Sequence, residues 1–320
     1  MKPSLLITRP LPAPVIDAAR AVCDVTVAQN NDPWPVAATG RALAQYDAIL
    51  ATLGDTFSAP AFAAQPATKC RLLANFGVGY NHIDVVAAAG HGIAVTNTPG
   101  VLTDATADMA ITLMLMTARR AGEGERMLRA GKWPGWHPTQ MLGMHVTGKT
   151  LGVIGMGRIG QAVARRAHFG FGMDVVFFNR SKVLDCGIPG ARQLVSMAEV
   201  MAQSDVVSVN VPGAPENHHL ISADVLAAAK PGTIIVNTAR GDVIDEAALI
   251  SALKSGALAG AGLDVYEHEP HVPDDLIAME NVVLLPHMGT NALEVRTKMG
   301  LIAVENIKAF FEGRELPNRV

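Results

Sequence analysis

The chain has 320 residues, 49% of them hydrophobic and 17% charged, and a formal net charge of -3. This length allows two domains with cores of their own, and this balance excludes an intrinsically disordered chain. With no cluster of more than two or three Lys or Arg, the chain offers no basic surface to nucleic acid or to an anionic membrane.

The apolar run Leu5-Leu6-Ile7 is too short for a signal peptide and is ended by Arg9 and Pro10, so it reads as a first strand. Helices are predicted near 14–22, 60–64 and 83–89, and strands at 5–8, 48–52, 72–76 and 93–96. Such alternation implies a parallel sheet with helices on its faces, so residues 1–100 form a first α/β unit. Cys23, Cys70 and Cys186 are odd in number and lack CxxC spacing, as expected of small buried thiols in a reducing cytoplasm.

After Thr98-Pro99-Gly100 comes a helical run over 104–122, apolar on nearly every side. Such a helix must be buried all round, which a gap between two domains or two subunits would provide. Met109, Met114, Met116 and Met127 fit adaptable core. The apolar segment 109–116 falls short of a membrane span. Gly131-Lys132-Trp133-Pro134-Gly135-Trp136-His137-Pro138 cannot be regular helix or strand. Its two tryptophans would either bind a partner or anchor the loop to its own core.

The strand-length run Leu151-Gly152-Val153-Ile154 enters a turn with Gly155, Gly157 and Gly160, a helical pattern follows, and a second strand begins at Val175. This is the pattern of a dinucleotide site. Gly155 would allow the tight turn, Gly157 the approach of a pyrophosphate, and Gly160 close packing of helix on strand. Strands at 206–211, 233–237, 260–263 and 282–285 then alternate with helices at 196–203, 222–229 and 245–255. They predict a doubly wound sheet whose ligands sit at the carboxyl ends of its strands. A last helix over 291–311 leaves this unit. The expected division is a dinucleotide-binding domain, 101–290, and a discontinuous substrate domain, 1–100 plus 291–320.

Candidate chemistry clusters after the later strands. Arg240 follows strand 233–237 beside Gly241, where it could hold a carboxylate through two parallel hydrogen bonds. His287 follows strand 282–285, and a carboxylate beside it would make an acid/base unit. Spacing alone leaves Asp264, Glu267 and Glu269 as equal candidates for that partner. His218-His219 and His268/His271 lack HExxH spacing and read as solvated loops, so no metal site is expected. No serine lies in a GxSxG motif.

Taken in order, Asn75-Phe76-Gly77-Val78-Gly79-Tyr80-Asn81-His82-Ile83-Asp84, Gly155-Met156-Gly157-Arg158-Ile159-Gly160, Asn237-Thr238-Ala239-Arg240-Gly241, and Gly262 to Pro270 with Pro286-His287-Met288-Gly289 resemble the D-isomer-specific 2-hydroxyacid dehydrogenases over essentially the whole chain. The resemblance implies two Rossmann-like α/β domains with parallel sheets and a cleft between them. It makes Arg240, Glu269 and His287 the catalytic set and puts Val78 and Gly79, with Arg240, at the substrate carboxylate. Thr106, Gly155, Gly157, Arg158, Ile159, Gly160, Asn179, Arg180, Ser181, Pro212, Thr238, Ala239, Asp264 and Gly289 become cofactor contacts. The segment 131–142 is similar to that of the glyoxylate and hydroxypyruvate reductases. In that subgroup a tryptophan reaches the neighbouring subunit's active site, which implies a homodimer and makes Trp133 or Trp136 a substrate contact.

An NAD site places an acid after its second strand to bind the ribose hydroxyls, whereas a 2'-phosphate needs positive charge and hydroxyl donors. Here that position reads Phe178-Asn179-Arg180-Ser181-Lys182, without an acid. NADP(H) is therefore expected to be preferred, with NAD(H) possible. The expected activity is reduction of small 2-oxo acids, glyoxylate and hydroxypyruvate. Alternatives are a reductase of 2-ketogluconate or of aromatic 2-oxo acids, and a dinucleotide-sensing, corepressor-like binding module.

Overall fold

The computed structural model describes residues 1–65 and 67–320. The chain forms two compact units, one of Met1–Leu102 with Thr290–Val320 and one of Thr103–Gly289.

The first unit carries β1 (Ser4–Ile7), β2 (Asp24–Val27), β3 (Ala48–Thr52), β4 (Leu72–Phe76) and β5 (Ala94–Thr96), all parallel, in the order β2-β1-β3-β4-β5. Side chains alternate between two cores, as the pleat dictates. Leu5, Ile7, Leu50 and Leu72 pack with Ala303, Val304 and Ile307 of the helix Leu293–Phe311. Leu6, Ile49 and Leu73 pack on the other face with Phe57 and Phe62. Covering both faces explains why these strands read as unbroken apolar runs.

Two elements here escaped the sequence reading. β2 is an edge strand whose residues are half-exposed or exposed, so it has no apolar run. The helix Val36–Gln45 contains Gly40, a poor helix former. A Cβ there would lie 3.1 Å from Ala61 O, so the glycine answers to packing.

The second unit holds β6 (Thr150–Ile154), β7 (Asp174–Phe178), β8 (Arg192–Gln193), β9 (Val206–Val209), β10 (Ile234–Asn237), β11 (Gly260–Leu263) and β12 (Val282–Leu284). All run parallel in the order β12-β11-β10-β9-β6-β7-β8, so the winding reverses between β6 and β9. Ligands of such sheets bind at the carboxyl ends beside the reversal.

The long helix expected over 104–122 is instead two, Thr103–Ala118 and Ala121–Arg129. Arg120 adopts a left-handed φ of 54° and is held there by two bonds to Glu123, both 2.7 Å. Met144 N–H caps Ala118 O at 2.7 Å, replacing the next helical turn. Nor is the first helix buried all round. Leu113 and Met114 are buried, Met109 and Met116 are half-buried, and Asp104, Asp108 and Thr112 are exposed. Its buried face lies against β11, where Cβ atoms at Gly260 and Gly262 would come within 3.0 Å of Thr117.

Candidate active site

Three adjacent parallel strands, paired Asn237 to Leu263 and Leu263 to Leu284, release their loops at one edge of the second sheet. The loop after β10 carries Arg240, that after β11 carries Asp264 to Glu269, and that after β12 carries His287. Register therefore converges residues that are far apart in sequence.

The carboxylate left open by spacing is Glu269. His287 Nδ1 lies 2.8 Å from Glu269 Oε2, and both side chains are 30% exposed. Tyr266 N–H donates to Glu269 Oε1 at 3.1 Å. Burial alone would raise the Glu269 pKa. The bond and charge of His287, the Tyr266 amide and the charge of Arg240 outweigh burial and hold it below the usual glutamate value. Glu267 instead accepts from His219 Nε2 at 2.9 Å. His219 is half-buried, at a φ of 49°, so it is not a solvated loop residue.

Asp264, 1% exposed, holds the turn that presents His287. Its backbone oxygen accepts from His287 N–H at 2.9 Å, and its carboxylate accepts from Met288 N–H at 2.6 Å and Gly289 N–H at 2.7 Å. These bonds fix a left-handed His287, φ 52°. Burial raises the Asp264 pKa despite the two amides and the nearby charge of His287. Thr106 closes the group, with its Oγ1 3.4 Å from Gly289 O.

Arg240 is half-buried. Burial lowers its pKa while the charges of Glu269 and Asp242 push it back up, and its Nη1 donates to Ala239 O at 2.6 Å. Asn237, 1% exposed, shapes the turn by donating to Arg240 O at 2.8 Å and accepting from Ala239 N–H at 2.9 Å. Gly241 joins this loop to the next, because a Cβ there would sit 1.8 Å from the carbonyl carbon of Tyr266. Asn237 and Tyr266 escaped the sequence reading as site residues, because their bonds are to backbone that only the fold brings near.

Before the reversal point, β6 runs into the glycine turn and the helix Arg158–Phe171. Gly155 has φ +93° and a Cβ there would lie 2.9 Å from Asn210 backbone; at Gly160 it would lie 2.1 Å from Gly155 O. The fold itself demands these two glycines. At Gly157 a Cβ meets no described atom within 4 Å, so the missing side chain leaves an approach for a ligand. Arg158 beside it is exposed and Ile159 half-buried. Thr238 Oγ1 is buried without a described protein partner. Glycine turn, helix N-terminus and orphaned hydroxyl together fit a dinucleotide. After β7, Asn179 Oδ1 accepts from Met156 N–H at 3.1 Å, and Arg180, 89% exposed, is 3.8 Å from Glu216. After β9, the exposed Pro212 accepts from Asn217 Nδ2 at 2.9 Å.

One trio among the described residues, His218, His219 and Glu267, brings possible metal ligands within 4.8 Å. The two imidazoles stack with centroids 3.9 Å apart at 25°, so their in-plane lone pairs do not converge.

In the first unit, the turn after β4 holds Val78 and Gly79. Asn75 Nδ2 donates to Gly77 O and Gly79 O, both at 3.0 Å, and Asn97 Nδ2 donates to Val78 O at 3.0 Å. In planar trans peptides, carbonyls held this way turn the Val78 and Gly79 N–H groups to the opposite side. Trp133 is 54% exposed and donates to Gln140 Oε1 at 3.3 Å; Trp136 is 80% exposed.

The sequence profile of the D-isomer specific 2-hydroxyacid dehydrogenase NAD binding domain matches residues 111–289. A glyoxylate reductase of Korarchaeum cryptofilum is 42% identical over 100% of this chain and 96% of its own. The chain belongs to the D-isomer specific 2-hydroxyacid dehydrogenases. Solved dehydrogenases of related name share its fold. The NADPH-dependent glyoxylate/hydroxypyruvate reductase of Sinorhizobium meliloti, in complex with NADP and malonate, has a TM-score of 0.87 at 34% identity, covering 100% of this chain and 97% of that one. The D-mandelate dehydrogenase of Rhodotorula graminis has 0.86 at 31%, with the same coverage. As a member of this dehydrogenase family, the chain works with a nicotinamide dinucleotide and a small 2-oxo or 2-hydroxy acid.

Proposed function

We propose that this dehydrogenase reduces small 2-oxo acids, glyoxylate and hydroxypyruvate foremost, to glycolate and D-glycerate, with NADPH as preferred donor. The observation that carries the reading is the 2.8 Å contact of His287 with Glu269 on the loops next to that of Arg240. Bound nicotinamide supplies the hydride. The chain must bind the acid, orient its carbonyl and deliver a proton. With Nδ1–H given to Glu269, His287 Nε2 is the ring atom left to protonate the 2-oxo oxygen. Glu269 keeps the ring oriented. Arg240 polarises and orients the 2-oxo acid, and the Val78 and Gly79 amides receive its carboxylate.

The glycine turn with Arg158 and Ile159 would hold the pyrophosphate, and Asn179, Arg180 and Ser181 the 2'-phosphate. Pro212, Thr238, Ala239, Thr106, Asp264 and Gly289 would line the rest of the cofactor's path. Three features support NADPH: the missing acid after β7, the exposed Arg180, and the NADP complex of the Sinorhizobium relative. The exposed Trp133 and Trp136 support a homodimer in which one of them reaches the partner's site.

The test is oxidation of NADPH and NADH with a panel of 2-oxo acids, ranked by kcat/KM. Glyoxylate or hydroxypyruvate with NADPH is expected to rank first. An aromatic 2-oxo acid ranking first would favour the activity that the Rhodotorula relative's name suggests. Dinucleotide binding without any turnover would favour the corepressor-like module.

A further inference from the structure

Resting on the NADPH reading above, we propose that Gln193 is a positioning residue for cofactor selection: it holds the 179–183 loop in the shape that presents Arg180 and Ser181 to a 2'-phosphate.

Gln193 belongs to β8, a two-residue strand at the edge of the second sheet, paired with Val176 and Phe177 of β7. Its side chain turns onto the loop that leaves β7. Nε2 donates to Asn179 O at 3.0 Å and to Ser181 O at 3.1 Å, while Oε1 accepts from Val183 N–H at 2.9 Å. One amide thus braces three residues on both sides of Arg180. Asn179 completes the frame, because its Nδ2 donates to Ser181 O at 3.0 Å and Ser181 Oγ at 3.1 Å. Ser181 Oγ therefore accepts on the loop side, and its own hydrogen remains available as a donor to an anion.

Arg180 rises between two anchored residues with its side chain 89% exposed. A long, exposed side chain loses rotamer freedom when it binds, and a fixed backbone limits how much must be ordered. Recognition of a 2'-phosphate draws on this geometry, whereas a cofactor without that phosphate does not. A residue that merely closed the sheet edge would affect both cofactors alike.

The test is Gln193→Met, which keeps the reach and removes every hydrogen bond, with Gln193→Ala as a second variant should the first fold poorly. Losing these bonds is expected to lower kcat/KM for NADPH about tenfold. For NADH the change should stay under about twofold, because that cofactor lacks the group the loop presents. The inhibition constant of adenosine 2',5'-bisphosphate should rise in parallel while that of 5'-AMP stays level. Equal losses for both cofactors, or an unchanged ratio in a folded variant, overturn the proposal. Arg180→Ala separates the two readings. If it collapses the NADPH to NADH ratio and the Gln193 variants do not, only this inference fails. If it leaves the ratio unchanged, the NADPH reading itself fails.

Discussion

The proposed proton donor, His287, has its ring direction set from the far side, where Nδ1 meets Glu269 at 2.8 Å. His287→Ala should lower kcat with glyoxylate by about 100- to 10,000-fold, the usual contribution of a general acid. NADPH binding, followed by its fluorescence, should be retained. Glu269→Gln should lower kcat less, since an amide oxygen still orients the ring but adds no charge. Because the folded Glu269 pKa is lowered, its contribution to stability is complete above the unfolded glutamate value. It is lost as pH falls through the lower, folded value. Thermal midpoints measured from pH 3 to 7 should therefore depend less on pH in Glu269→Gln than in the parent on that acid limb. Arginine, histidine and a choice of acids were legible from strand-mouth positions. Choosing Glu269 took either family resemblance or the fold, because Asp264 and Glu267 are as near in sequence and differ only in their partners, the 288–289 amides and His219.

The turn elements make a sharper prediction, because the glycines in one motif answer to different causes. Gly160→Ala places a Cβ 2.1 Å from Gly155 O, so the helix must shift. A loss of about 1–3 kcal/mol of stability should accompany the loss of cofactor binding. Gly157→Ala meets no described atom within 4 Å and should leave the thermal midpoint within a few degrees while weakening NADPH binding. A matching loss of stability at both positions would contradict that division. Gly241→Ala should behave like Gly160→Ala, since its Cβ would meet the Tyr266 carbonyl carbon at 1.8 Å. Alternation along the chain made most strands and helices legible. β2, the helix Val36–Gln45 and the break at Arg120 were not, for their causes are an exposed edge, a packing glycine and a cap from Met144. None of these leaves a periodic signal.

Across the whole molecule, each sheet carries proposed site residues after its strands: Val78 and Gly79 follow β4 in the first, and the glycine turn, Arg240 and His287 follow β6, β10 and β12 in the second. Leu128, Trp133, Trp136 and Leu142 are at least 54% exposed and close in sequence, an apolar set that suits an interface. Light scattering should give twice the chain mass. Trp136→Ala or Trp133→Ala should then raise KM for the 2-oxo acid, according to which ring enters the partner's site, and unchanged kinetics in both variants would remove the idea. Domain number and sheet type were legible from length and alternation. The return of Thr290–Val320 to the first unit was foreshadowed only by a last helix placed beyond the second sheet.

The buried clamp of Asp264 gives the site two carboxylates whose pKa values are displaced in opposite directions. Ionised Asp264 costs stability above its raised pKa, and that cost disappears as pH falls through it, whereas the contribution of Glu269 disappears on acidification. As pH falls through its raised pKa, Asp264 takes up a proton. A neutral acid grips the Met288 and Gly289 amides less tightly than a carboxylate. Protonation of Asp264 should thus slacken the histidine turn, so that turnover falls on the acid limb, and Asp264→Asn should show the slackened turnover already at neutral pH.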